Sequence, residues 1–126
     1  MKNVLFNIAG LKRKESFFIV SHTNEMKNAC EQAHMKKGFH KNLDTQKIVA
    51  YKGKYNEFLC VFYHIRNAFA HGRLAMYERK GDIVFALEDG VKRYGQFEVR
   101  SRMILKKSTL KSWMDVIKSG ELPAEI

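Results

Sequence analysis

The rhythm of hydrophobic and polar positions changes along the chain, and the changes mark its elements. Val4-Leu5-Phe6 and Phe17-Phe18-Ile19-Val20 are apolar patches separated by Lys12-Arg13-Lys14-Glu15. Their spacing fits helix and strand alike, and helix is the expectation over residues 1–20. Thr23-Asn24-Glu25 opens a helix in which Met26, Ala29, Cys30 and Ala33 recur at helical intervals, with Gly38 as the stop after Lys36-Lys37. Asp44-Thr45 opens another short helix through Tyr51, interrupted by Gly53. The strongest pattern runs from Tyr55 to His71. There Phe58, Val61, Phe62, Ile65 and Phe69 form one apolar stripe, and Cys60, His64, Asn67 and His71 share the opposite, polar face. Gly72 ends this helix.

Beyond Gly72 the period drops to two. Leu74–Tyr77 and Ile83–Leu87 flank Lys80-Gly81 and read as a β-hairpin. A third strand spans Gln96 to Lys106, with Phe97, Val99, Met103 and Leu105 on one side and Glu98, Arg100, Arg102 and Lys106 on the other. Ser108 caps a last helix whose inner face holds Leu110, Trp113, Met114 and Ile117, ended by Gly120 and followed by a loose tail over 121–126. The expected architecture is mainly α: a helical core in a single domain over 1–126, with a small antiparallel sheet inserted before the C-terminal helix.

Composition adds two constraints. A hydrophobic fraction of 45%, with nine Phe, five Tyr and one Trp, can build a core, so a disordered chain is not expected. Lys and Arg number 23 against 13 Asp and Glu, a net charge of +10. That excess attracts polyanions, nucleic acid above all, without separating RNA from DNA. No apolar run approaches the roughly 20 residues that cross a bilayer, and the N-terminus lacks the pattern of a secretory signal. A cytoplasmic protein that does not use a membrane is the expectation. Cys30 and Cys60 have no CxxC or zinc-site spacing and read as reduced, partly buried thiols. The five histidines form no HExxH, and no metal or other cofactor is expected.

Candidate chemistry gathers at the end of the central helix, in Arg66-Asn67-Ala68-Phe69-Ala70-His71. This segment resembles the HEPN superfamily, whose signature is an Arg followed four to six residues later by a His, often with a polar residue after the Arg. The clear match covers residues 55–73. The resemblance implies a HEPN-like helical bundle and a metal-independent endoribonuclease of toxin–antitoxin, defence or RNA-processing systems. It also implies a homodimer whose two motifs meet at a shared cleft. Arg66, Asn67 and His71 would then form the catalytic site. An antitoxin or other regulatory protein is a further partner, although the tyrosine that some such toxins carry two residues after the His is here Arg73.

The chemistry is consistent on its own terms. RNA supplies its own nucleophile, the 2′-hydroxyl. A histidine exchanges protons near neutral pH, and an arginine braces phosphoryl charge through its fork. Asn67 lies one turn from His71 and can orient it or the ribose. Arg66 lies about 140° around the helix from His71, an offset that suits a site completed by a second copy. Tyr63, His64 and Arg73 border the motif as RNA-binding candidates, and Lys12, Arg13, Lys14, Arg100, Arg102, Lys106 and Lys107 are further phosphate contacts. Each has a plain structural alternative: His71 as a helix cap, Arg66 as a snorkelling or ion-paired side chain, His64 and Tyr63 as packing, Arg73 as an exposed strand residue. The other functional readings are a HEPN module that binds RNA or protein without cleaving, and a DNA-binding accessory protein.

Overall fold

The computed structural model describes residues 16–35 and 45–118. The chain forms β1 (Phe17–Val20), a 3-10 turn at Thr23–Glu25, α1 (Met26–Gln32), β2 (Lys47–Tyr51), α2 (Glu57–Ala70), β3 (Leu74–Arg79), β4 (Asp82–Arg93), β5 (Gln96–Lys106) and α3 (Lys107–Lys118). The strands make one five-stranded sheet in the order β1-β2-β5-β4-β3. β1 runs parallel to β2, and every other neighbouring pair is antiparallel. α2 and α3 cover one face and α1 the other. The fold is therefore mixed α/β around a central sheet, and the expected mainly helical, HEPN-like bundle does not describe it.

The two faces explain why the helical reading failed at Phe17–Val20 and Lys47–Tyr51. Phe17, Ile48 and Ala50 pack under α2, while Phe18, Val20 and Val49 pack under α1. A strand covered on both sides needs apolar residues at consecutive positions, so the alternation that identifies a half-exposed strand is missing. Such short apolar runs carry no period of their own. The first fifteen residues, Asp44, the Gly38 and Gly120 stops, Ile117's side chain and the 121–126 tail lie outside the described residues.

Other elements follow the pattern closely. β5 has the expected bounds, and the β3–β4 hairpin turns at Lys80 (φ 53°) and Gly81 (φ 83°), the two left-handed residues of a type I′ turn. Asn56 caps α2 by accepting a hydrogen bond from Leu59 N (2.8 Å). Trp113 is buried and meets Phe62 edge-on at 5.6 Å, which docks α3 onto α2. Two positions expected on an inner face are exposed. Phe69 is 45% exposed, although its ring still lies 5.7 Å from Phe85. Met114, expected on the inner face of α3, is also exposed.

β5 breaks its own alternation. Asp89 of β4 faces Ser101, but the next residue, Gly90, faces Val99, so Arg100 is an extra residue in β5. Val99 consequently packs on the α1 side while Met103 and Leu105 pack on the α2 side, where all three were expected together. A bulge of this kind bends the strand and re-aims a side chain. Its geometry requires Gly90: a Cβ there would lie 2.2 Å from Glu98 O and 2.6 Å from Phe97 Cζ.

Candidate nucleic-acid site

The end of α2 is built by local backbone chemistry. Gly72 takes φ 65°, Gly72 N donates to Phe69 O (3.2 Å), and Arg73 N donates to Ala68 O (2.9 Å). This Schellman arrangement satisfies the last carbonyls of the helix. It leaves His71 as the C-cap, with an exposed side chain at the rim of a concavity of about 430 Å³.

The face expected to be polar is largely internal. Cys60, at 1% exposure, and His64, at 5%, are buried against the sheet. His64 Nε2 lies 2.8 Å from Tyr51 O, and Nδ1 lies 2.6 Å from Asp89 Oδ2. A carbonyl only accepts, so Nε2 carries a hydrogen. Both ring nitrogens are therefore occupied, and neither is free for substrate. Asn67 Nδ2 donates to the same Asp89 Oδ2 (3.2 Å). Asn67 thus anchors Asp89, and the network ties α2 to β2 and β4.

With Asp89 committed to these partners, the rest of the concavity is cationic. Lys52, Lys54 and Arg100 line it together with Tyr51, Tyr55, Tyr63, Asn67 and His71. Among the described residues no carboxylate pairs with Lys52 or Lys54. Arg100, carried in by the bulge, has a side chain only 12% exposed and a single 3.4 Å contact to Glu98, and its Nε has no hydrogen-bond partner among the described residues. Tyrosine faces hold the cations instead. Lys54 lies 5.7 Å from the Tyr55 ring, Arg66 lies 5.2 Å from Tyr63 and Arg100 lies 5.2 Å from Tyr51. Such contacts contribute only about 0.5–1 kcal/mol where exposed and leave the positive charge unneutralised.

The predicted residues therefore separate. Tyr63, Asn67 and His71 share the concavity, and His64 forms part of its floor. Arg66 is exposed on the outer side of Tyr63 and does not line it. Arg73 leaves it altogether. Leu87 and Asp89 face α2, so Glu88 between them faces α1. There Glu88 accepts from Arg73 and from Arg102 (3.0 Å), and the Arg73 guanidinium lies 3.8 Å from the Phe97 ring. Arg102 also donates to Met35 O (2.8 Å), so it too serves the α1 side. Sequence reasoning passed over Lys52, Lys54, Tyr51 and Tyr55. Their signal was the run Tyr51-Lys52-Gly53-Lys54-Tyr55, in which bases and aromatics alternate around a glycine at φ 62°. Asp89 gave no signal, because its partners are 22 and 25 residues away.

Both cysteines are buried and free. Burial raises the Cys30 thiol and pushes Cys60, which donates to Glu57 O (3.2 Å), up to about 12. No cluster of three or more His, Cys, Asp or Glu side chains suited to a metal occurs among the described residues, and no helix there is long and apolar enough to cross a membrane. No protein-family model, curated protein or solved structure matches the chain.

Proposed function

We propose that the chain binds RNA in the Lys52–Arg100–His71 concavity and cleaves it through the 2′-hydroxyl, without a metal. The observation that carries this reading is the pairing of an exposed His71 with Arg100, a largely buried guanidinium that keeps unspent donors, in one concavity. Arg100, with Lys52, supplies the charge that a phosphodiester needs, and the tyrosines supply faces for bases. His71 accepts the proton of the 2′-hydroxyl as that oxygen attacks the adjacent phosphorus. The phosphorus–5′-oxygen bond breaks, and the imidazolium returns the proton to the departing 5′-oxygen. The products are a 2′,3′-cyclic phosphate and a free 5′-hydroxyl. Arg100 stabilises the charge that builds on the non-bridging oxygens. In this scheme the arginine that matters is Arg100, from β5, and Arg66 is a peripheral contact.

A second reading, binding without cleavage, draws support from Asn67, whose amide is spent on Asp89 instead of being offered to His71 or a ribose. Incubation of labelled RNA with purified protein in chelator separates the two. His71→Ala and Arg100→Ala are each expected to lose about two orders of magnitude of cleavage, and Arg66→Ala less than about tenfold. Wild-type cleavage by the His71 variant would sink the enzymatic reading. RNA retention with no cleavage by the wild-type protein would leave the binding module.

A further inference from the structure

The β4–β5 hairpin continues past the concavity. Gly90 and Val91 line it, and the strand runs on through Lys92 and Arg93 to a turn at Tyr94-Gly95. Every residue from Val91 to Gln96 is exposed. Neither Lys92 nor Arg93 pairs with a carboxylate among the described residues. Tyr94 is 101% exposed, so its ring packs on nothing among the described residues. Tyrosine ordinarily buries its apolar body and leaves only the hydroxyl wet. Its backbone is equally unusual. Tyr94 stands at φ 52° and Gly95 at φ 77°, the two left-handed positions of a type I′ turn. The first of these favours Asn, Asp or Gly and disfavours a bulky aromatic. A residue that breaks the local rule while making no internal contact points to a role outside the fold.

We infer that this hairpin tip is a base-stacking finger that extends the RNA track beyond the concavity, with Tyr94 stacking on an unpaired base and Arg93, on the strand face that Val91 shares, holding an adjoining phosphate. The inference rests on the RNA reading of the concavity and adds to it a substrate class, single-stranded RNA. Tyr94 lies three residue steps beyond Val91, or about 10 Å. At about 3.4 Å per stacked nucleotide, that distance places the stacked base about three nucleotides beyond the edge of the concavity at Val91. A base stacked inside a duplex has no free face, so the finger selects unpaired strands.

The test uses a short fluorescent 2′-O-methyl oligoadenylate, which cannot be cleaved, with anisotropy as the readout. Tyr94→Asn installs the preferred turn residue, so thermal stability is expected to hold or rise while affinity falls roughly tenfold. Tyr94→Trp should restore binding. Arg93→Ala should flatten the logarithmic salt dependence by roughly 0.7. Wild-type affinity in Tyr94→Asn, or tighter binding of the matching duplex, would overturn the proposal. Should Arg100→Ala lose the probe while Tyr94→Asn keeps it, the concavity reading stands and the finger falls. A wild-type protein that does not hold the probe removes both.

Discussion

Cys60 and His64 lie one turn apart on α2, and the side chains of both face inward, for different reasons. Cys60 behaves as a small apolar residue: burial removes the water that would stabilise a thiolate. Its folded pKa of about 12 lies above the ordinary 9.0, so from pH 9 to 12 the unfolded chain has lost a proton that the folded chain retains. The contribution to stability is fully present below pH 9 and disappears as pH rises through 12. Denaturant titrations should therefore show stability falling across that window, and Cys60→Ala should flatten the fall. The native protein should also resist alkylation of Cys60 at pH 8 until denaturant is added. His64 is buried only because Tyr51 O and Asp89 occupy both ring nitrogens. An uncompensated imidazole at that depth would be costly.

At the scale of the element, the bulge in β5 matters most. It turns Arg100 toward α2 and lets Asp89 keep its reach to His64 and Asn67. Gly90→Ala tests this directly. The added Cβ would collide with the Glu98 backbone carbonyl, which cannot rotate aside. The expected outcome is a loss of about 2–3 kcal/mol in denaturant unfolding, accompanied by weaker RNA binding as Arg100 swings out. Unchanged stability would mean that the strand slips into regular pairing without cost. Both hairpin turns are left-handed two-residue loops, yet only Lys80-Gly81 was read from the sequence. Tyr94-Gly95 was passed over because Tyr is a strand former and disguises the turn.

In the molecule as a whole, the concavity draws on β2, the loop after it, α2, β4 and β5 of one chain. Arg100 stands where a neighbouring protomer's Arg66 was expected to be needed. Mixing Arg100→Ala with His71→Ala protein under conditions of subunit exchange should therefore restore no more than residual cleavage. Recovery on mixing would show a site shared between copies and would return Arg66 to consideration. The excess of positive charge belongs to this scale too. It draws a polyanion toward the molecule from any side, and under the proposed reading the tyrosine-lined concavity and its hairpin tip give that attraction a place to act.

The sequence by itself determined α2 and its glycine stop, the β3–β4 hairpin, the span of β5 and the inward faces of Met26, Ala29, Cys30 and Trp113. Each of these depends on neighbours within a few residues, where dihedral preference and side-chain period act directly. Only the tertiary structure decided that Phe17–Val20 and Lys47–Tyr51 are strands, since burial on two faces erases the alternation that would mark them. It also decided which of the motif's residues meet solvent. Asn67 was claimed by Asp89, Arg73 by Glu88 and His64 by both Tyr51 O and Asp89. Helical spacing can put residues on one face, but what that face meets depends on strands far along the chain. The extra residue at position 100, set by how β4 and β5 pair around Gly90, is what brought a cation into the concavity that His71 borders.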